Sequence, residues 1–118
     1  KASVDAETET KQTALHMAAT GGHSTAAQVL IDAKAPLNAQ DRFLFAPLHA
    51  AFLGMAKNTA VVQVLLDAKA NIDIEDSYEM IPLHLAALGG ETAAIEVLLH
   101  AKATSLSSNA AIISESTF

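Results

Sequence analysis

A short motif ending in histidine occurs three times at nearly regular intervals, and this period restricts the fold more than any other feature of the chain. The copies are Thr13-Ala14-Leu15-His16, Ala46-Pro47-Leu48-His49 and Ile81-Pro82-Leu83-His84. Successive histidines are 33 and 35 residues apart. Periods of this length are typical of solenoids, in which each repeat is one small structural unit that stacks on its neighbours.

A second motif recurs with the same period. An apolar run followed by Ala-Lys-Ala fills residues 29–35, 64–70 and 97–103. Its first residues, Val29, Val64 and Val97, are 35 and 33 apart. The two extra residues of the middle unit therefore lie between its histidine and its valine, within 54–58. We expect this insertion to lengthen the turn between the two helices of that unit.

The combined pattern resembles the ankyrin repeat. That family's pattern is Asp-x-x-Gly-x-Thr-Pro-Leu-His-x-Ala-Ala-x-x-Gly, then an apolar helix ending in Leu-Leu, then Gly-Ala-x-Val-Asn. The matching segments here are 15–23, 35–39, 70–73 and 83–90, and the resemblance extends over residues 8–103 as three complete units. It implies an all-α solenoid of stacked helix-turn-helix units with short β-hairpin-like fingers. It also implies protein–protein recognition as the function.

The motifs indicate a single array of repeats over residues 1–118. Residues 1–7 resemble the end of a preceding repeat, the three units occupy 8–40, 41–75 and 76–108, and 109–118 is interpreted as a degenerate cap or tail. Helices are predicted over 13–20, 24–33, 47–54, 59–68, 82–89 and 92–101, with fingers near 7–12, 40–45 and 75–80. Pro47 and Pro82 suit the first turn of a helix, and Thr13 can cap one with its hydroxyl.

Composition excludes several classes of function. The formal net charge of −6 argues against nucleic acid, whose binding requires a basic surface. No apolar run approaches the ~18 residues of a membrane span, so we expect no membrane insertion. The chain has no cysteine, which excludes disulfides and thiol chemistry. A cytoplasmic location is typical of the family, while the lack of cysteine also suits a periplasm.

No catalytic residue, cofactor site or metal site is predicted. His16, His49 and His84 occupy equivalent places in successive layers, and helices ~8–10 Å apart are too distant for one zinc ion to join their rings. We expect each ring to bond backbone or hydroxyl groups instead. The carboxylates of Asp41, Glu75 and Asp76 are predicted to sit on exposed fingers, where general acid–base catalysis is not expected.

A lysine replaces the family's glycine after the second helix of each unit, at Lys34, Lys69 and Lys102. Glycine at this place usually takes the left-handed conformation, which costs other residues ~1 kcal/mol. Duplication from a lysine-bearing ancestor would explain all three, and a basic stripe that binds a ligand is the alternative.

Positions that form the partner-binding surface of ankyrin arrays carry apolar and aromatic residues in two of the three units. These candidate partner-binding residues are Arg42, Phe43, Phe45 and Leu53 in the second unit and Tyr78, Met80 and Leu88 in the third. Leu44, where the family has glycine, would add to them. We expect one contiguous apolar surface, which is typical of a binding site for another protein. In the alternative interpretation the rings stack against one another.

Acidic residues are expected to surround this surface, at Glu7, Glu9, Asp41, Glu75, Asp76 and Glu79. Such a rim favours a protein partner with basic residues around an apolar protrusion. An adaptor would tether this partner, whereas an inhibitor or immunity protein would insert its fingers into an enzyme's cleft. The alternative function is a structural segment of a larger chain or assembly that covers the surface permanently. Homodimerisation is a lesser alternative.

Overall fold

The computed structural model describes residues 3–54 and 58–102, and these residues form helices and turns without a strand. The helices are α1 (Ala14–Thr20), α2 (Ser24–Asp32), α3 (Pro47–Ala50), α4 (Thr59–Asp67), α5 (Pro82–Leu88) and α6 over residues 92–102. The predicted all-α solenoid is confirmed. The insertion residues 55–57 and the predicted cap or tail at 109–118 lie outside the described residues.

The helices form two layers. In the inner layer α1 packs on α3 and α3 packs on α5, while α2 packs on α4 in the outer layer. Within the first unit α1 also contacts α2. Small alanines allow these layers to approach closely, and the interior between them is filled by fully buried leucines and valines, among them Leu15, Leu48, Val61, Leu65 and Leu98. The first and second units therefore each bury an apolar face against the unit that follows.

The inner helices begin where the sequence predicts. Thr13 Oγ1 accepts a hydrogen bond from the backbone N–H of His16 at 3.3 Å, so the threonine caps α1. Pro47 and Pro82 are the first residues of α3 and α5, where a missing N–H has no cost. Ala46, the residue before α3, supplies no side-chain cap. Its own N–H instead donates to Nδ1 of His49 at 3.1 Å.

The prediction for α3 was wrong, because this helix ends at Ala50 rather than at residue 54. The chain then tightens, with Phe52 N–H donating to His49 O at 2.9 Å and Leu53 N–H to Ala50 O at 3.1 Å. Gly54 lies against the first unit, where an added Cβ would be 2.0 Å from the carbonyl oxygen of Thr20. This close approach to the backbone of the first unit accompanies the early end of α3. The other described helix ends agree with prediction to within one residue, and the carboxyl end of α6 lies outside the described residues.

The lysines after the outer helices differ in conformation. Lys34 and Lys69 have φ of 74° and 75°, as expected for residues in the glycine position of the family. Their N–H groups close the helix ends by bonding to Ile31 O and Leu66 O. Lys102 instead continues α6, and its ammonium pairs with the carboxylate of Asp73. Only the first two lysines therefore share the strained geometry.

Candidate protein-interaction surface

Each finger is a tight turn closed by backbone hydrogen bonds. In the second finger, residues 41–45, Asp41 N–H donates to Phe45 O and Leu44 N–H donates to Asp41 O, both at 2.9 Å. The first finger, residues 8–12, and the third, residues 76–80, make the same pair of bonds at 2.9–3.0 Å. Three equivalent loops thus project from the array with one shared backbone shape.

A side-chain oxygen at the first position of the finger stabilises this turn. Asp41 Oδ1 accepts from Phe43 N–H at 2.9 Å and from Phe45 N–H at 3.0 Å. Asp76 Oδ1 accepts in the same way from Tyr78 and Met80, at 2.8 and 3.0 Å. Aspartate suits this role because its short side chain bonds backbone N–H groups a few residues ahead.

The prediction that the finger carboxylates are exposed was therefore wrong for two of the three. Asp41 is only 5% exposed and Asp76 only 4%, whereas Glu75 is exposed. The pattern Asp-x-x-x-x-x-Pro-Leu-His was the available signal, since it places the carboxylate opposite the N–H groups of its own turn. Asp41 and Asp76 are part of the fold and do not belong to an acidic rim.

Histidine side chains join the first unit to the second finger and the second unit to the third finger, as the structural interpretation predicts. His16 Nδ1 accepts from Thr13 N–H at 3.0 Å, which leaves the ring hydrogen on Nε2, and Nε2 donates to Phe45 O at 2.8 Å. His49 Nε2 donates to Met80 O in the same way, also at 2.8 Å. Both rings are fully buried. Residues 3–54 and 58–102 contain no cluster of histidine and carboxylate groups that could hold a metal ion.

Backbone groups add a second connection between neighbouring fingers. Arg42 N–H donates to Thr10 O at 2.9 Å, and Ser77 N–H donates to Phe43 O at 3.0 Å. The guanidinium of Arg42 also donates to Glu9 O at 2.9 Å. These bonds fix each finger relative to the preceding one, so the side chains on the fingers have defined relative positions.

Two aromatic rings lie together on the second finger. Phe43 is 54% exposed, and its ring centroid lies 6.3 Å from that of the partly buried Phe45. Phe45 in turn contacts the His49 ring, with centroids 5.8 Å apart. Phe45 therefore supports the finger from beneath, while Phe43 presents an apolar face to solvent.

The third unit carries an open groove of about 580 Å³ beside its finger. Its lining residues are Tyr78, Glu79, Met80, His84, Ala87 and Leu88. Tyr78 is 77% exposed and Leu88 is 76% exposed, so both present most of their apolar surface to solvent. The groove brings together all three residues that the sequence nominated in this unit. Glu79, which the sequence predicted for the acidic rim, also lines the groove. His84 and Ala87 were missed, although their spacing from Met80 and Leu88 places them alongside.

The other nominated residues occupy the second unit. Leu53 is 47% exposed and lies three residues beyond the end of α3. Arg42 is exposed but is bonded to the first finger, on the side away from the groove. The seven candidates are thus arranged as the Phe43–Phe45 ring pair, the groove of the third unit, and the flanking Leu53 and Arg42.

The fourth residue of each finger has a left-handed backbone. Lys11, Leu44 and Glu79 have φ of 66°, 64° and 62°. The sequence indicated only Leu44 as a replacement of the family's glycine, and equivalent spacing would have identified the other two. Non-glycine residues rarely adopt this backbone conformation because it is strained. The hydrogen bonds within each finger hold these residues in it.

Stacked helix pairs of nearly constant period, joined by histidine bonds to projecting fingers, define the class of helical-repeat solenoids. Within this class, a family model described as ankyrin repeats, in three copies, matches residues 1–76 of the 118. The chain belongs to the ankyrin-repeat family. No curated protein matches it in sequence. Across the described part of the chain, no helix has the length and apolar character needed to cross a membrane.

Proposed function

We propose that this protein binds a protein partner through the exposed apolar side chains of its second and third units. Ankyrin repeats are generally protein–protein interaction modules and not enzymes. The observation that carries the proposal is the groove of the third unit, where Tyr78 and Leu88 are each about three-quarters exposed. Large apolar side chains that share one surface favour a partner that covers them.

The candidate residues divide into contacts and supports. Phe43, Leu53, Tyr78 and Leu88 have exposed side chains available to a partner. Phe45 and Met80 are partly buried, and their carbonyl oxygens accept the histidine bonds that fix the fingers. Arg42 serves both roles, since one guanidinium nitrogen is bonded to the first finger and the rest of the group is exposed.

Such a surface can provide useful binding energy. If the four exposed side chains each bury ~100 Å², the gross gain at ~25 cal/mol/Å² is ~10 kcal/mol. Association costs on the order of 4–15 kcal/mol, and ordering of flexible segments adds to this. The fingers are already fixed by hydrogen bonds to one another, so the ordering cost on this side is small. Supporting contacts from Leu44 and Arg42 would add to the gain.

Electrostatics favour a basic partner. Glu75 and Glu79 are exposed next to the groove, and Glu7 and Glu9 are exposed beside the first finger. With the buried Asp41 and Asp76 removed, these four residues make up the acidic rim. The formal net charge of −6 adds a long-range attraction for positively charged surfaces. A partner with lysine or arginine around an apolar protrusion fits both features.

The binding could act in two ways, as an adaptor that tethers its partner or as an inhibitor that occupies an enzyme's cleft. The inhibitor would insert the second finger, with its exposed Phe43, into that cleft. An enzyme that loses its activity in the complex would indicate inhibition, and one that retains it would indicate tethering. We expect no catalysis by the chain itself.

The experiment compares three forms of the chain in affinity capture from a native extract, with mass spectrometry as the readout. Phe43→Glu/Tyr78→Glu introduces two charges at exposed positions, so we expect the fold to persist and partner retention to fall at least ~10-fold. Met17→Glu/Val29→Glu is the control, because these apolar residues are 50% and 63% exposed on helices of the first unit, outside the proposed surface. The control should retain the partner.

Circular dichroism and urea denaturation of both variants establish whether they fold. A folded Phe43→Glu/Tyr78→Glu chain that captures the same proteins as the unmodified chain contradicts the proposal. Unfolding of that variant would mean that the rings pack internally. Absence of any specific protein in all three captures would favour the alternative, a structural segment covered by the rest of a larger assembly.

A further inference from the structure

The groove of the third unit contains two polar side chains with unused hydrogen-bonding groups. The Glu79 side chain is exposed, and across residues 3–54 and 58–102 its carboxylate has neither a hydrogen-bond nor an ion-pair partner. His84 Nδ1 accepts from Ile81 N–H at 3.0 Å, which leaves the ring hydrogen on Nε2. Within the same part of the chain, this Nε2–H has no acceptor. The groove therefore offers one anionic acceptor and one neutral donor beside its apolar side chains.

These two groups restrict what can occupy the groove. A segment that covers Tyr78 and Leu88 also removes water from Glu79, because all three residues line the same groove. Removing water from a carboxylate without supplying a cation is unfavourable. A donor that loses water without gaining an acceptor is unfavourable as well. A purely apolar occupant is therefore disfavoured, and the groove requires a cation for Glu79 and an oxygen for His84.

The chain has no free cation of its own to supply at this place. Residues 70–118, which include the whole segment after α6, contain one lysine and no arginine. The lysine is Lys102, and its ammonium pairs with the carboxylate of Asp73. Arg42, on the second finger, is bonded to the first finger instead. The counter-charge for Glu79 is therefore expected from another molecule.

Among the fingers, the third is distinguished by this carboxylate. The fourth finger residue is Lys11 in the first unit, Leu44 in the second and Glu79 in the third. Phe43, the residue of the second finger that corresponds to Tyr78, thus has an apolar neighbour, whereas Tyr78 has an acidic one. The combination of an exposed ring and an adjacent carboxylate occurs in the third finger alone.

Arginine supplies the cation and also suits the apolar part of the groove. Its planar guanidinium stacks on aromatic rings and donates to carboxylates. In the third finger, Tyr78 N–H donates to Asp76 Oδ1 at 2.8 Å and Glu79 N–H donates to Asp76 O at 2.9 Å. The ring and the carboxylate therefore line one groove from a fixed backbone. The aliphatic stem of an arginine can cover Leu88 while its charged end stays in contact with water.

We infer that the groove of the third unit binds an arginine side chain of the protein partner. In this arrangement the guanidinium stacks on the Tyr78 ring and pairs with the Glu79 carboxylate. The stem of the arginine covers Leu88, and a main-chain carbonyl of the partner accepts from His84 Nε2. The inference rests on the proposed function and specifies the chemistry of the partner at this one site.

The test measures peptide binding to the full-length, ¹⁵N-labelled chain by NMR titration. The probes are acetyl-Leu-Arg-Leu-amide and the same peptide with lysine or citrulline in the middle, citrulline having the shape of arginine without its charge. We expect the arginine peptide to bind at least ~5-fold more tightly than the citrulline peptide. The lysine peptide should be intermediate, because an ammonium cannot stack as a plane. Shift changes should be centred on the amides of Tyr78, Glu79 and Leu88.

Substitutions in the groove separate the charge from the ring. Glu79→Gln keeps the size of the side chain and removes its charge, so the preference for arginine over citrulline should fall to ~2-fold or less. Glu96→Gln is the matched control, because it removes the same charge from an exposed position of α6, and it should leave the preference unchanged. Tyr78→Phe should bind the arginine peptide as the unmodified chain does, whereas Tyr78→Leu should bind it ~3-fold more weakly.

Circular dichroism establishes that each variant is folded before its affinity is interpreted. Equal binding of the three peptides, or no binding of any of them, overturns the inference. An arginine preference that survives Glu79→Gln overturns it as well, because the cation is then held elsewhere.

Affinity capture distinguishes this inference from the proposed function. A partner that is lost with Phe43→Glu/Tyr78→Glu but fully retained with Glu79→Gln would support the interaction surface and contradict the arginine site. An arginine-selective groove in a chain that captures no specific protein would support the site and contradict the proposed function.

Discussion

At the scale of single residues, backbone strain is concentrated at two positions that recur from repeat to repeat. Lys34 and Lys69 follow the outer helices, and Lys11, Leu44 and Glu79 are the fourth residues of the fingers, all with φ between 62° and 75°. An L-residue in this conformation costs ~1–2 kcal/mol. Glycine has no such cost but loses more entropy on folding, by ~0.5–1 kcal/mol.

Because the cost of the left-handed conformation exceeds the entropy that glycine loses, we expect Lys34→Gly and Lys69→Gly each to raise the free energy of unfolding by ~0.5–1 kcal/mol. Urea denaturation followed by circular dichroism measures this as a higher midpoint. Lys34→Ala is the matched control, because it removes the same charge but keeps Cβ, and it should leave stability nearly unchanged. An equal increase in the urea midpoint of the glycine and alanine variants would contradict this. It would show that the charge of lysine, and not its positive φ, lowers the stability.

The sequence predicted the geometry of these lysines but not the burial of the finger aspartates. A position where the family has glycine identifies a left-handed residue from pattern alone, and Lys34 and Lys69 follow that rule. Asp41 and Asp76 are charged residues in a loop, which by composition alone indicates exposure. Their burial depends on backbone N–H groups that converge only once the turn has formed, so it becomes apparent only from the three-dimensional fold.

At the scale of helices and turns, the junction between α3 and α4 departs from the other units. Asn58 directly precedes α4 and is 4% exposed. Its amide nitrogen donates to Ala51 O at 2.9 Å and to Glu91 Oε2 at 2.5 Å, which ties the shortened α3 to the third unit. His23 occupies the equivalent position in the first unit but is exposed. The period predicted where the insertion falls, but not that α3 would end early.

Gly54 and Gly89 occupy equivalent positions, and their surroundings predict opposite responses to alanine. A Cβ on Gly54 would be 2.0 Å from the backbone oxygen of Thr20, whereas one on Gly89 would meet the flexible side chain of Glu91 at 3.2 Å. Gly54→Ala must therefore move the backbone of the first unit, at a cost of ~2–3 kcal/mol or more. Gly89→Ala should change stability by less than ~1 kcal/mol, since helix propensity favours alanine.

Thermal unfolding followed by circular dichroism compares the two variants under identical conditions. The expected result is a marked decrease in Tm for Gly54→Ala and little change for Gly89→Ala. Similar Tm values for the two would contradict the close contact between Gly54 and Thr20. They would also mean that contact with Thr20 does not determine where α3 ends.

At the scale of the whole molecule, the array depends on contacts between units more than on any unit alone. The first two histidines, the backbone bonds between fingers and the buried leucines all connect one unit to the next. The sequence predicted this architecture because its two motifs keep one period. It could not predict which apolar finger residues stay exposed, since Phe43 and Phe45 are chemically alike and differ only in their contacts. The described units should therefore unfold together.

Leu48→Ala tests this cooperativity. Leu48 is 1% exposed in the middle unit, and its truncation should lower the free energy of unfolding by ~3 kcal/mol. Tyr78 is the only tyrosine and the chain has no tryptophan, so tyrosine fluorescence reports on the third finger, while circular dichroism reports on all helices. Both probes should show the same lowered urea midpoint. Leu53→Ala is the control, because Leu53 is half-exposed, and it should change neither urea midpoint by much. A Tyr78 midpoint that stays unchanged while the helical midpoint falls would show that the third unit unfolds independently of the second.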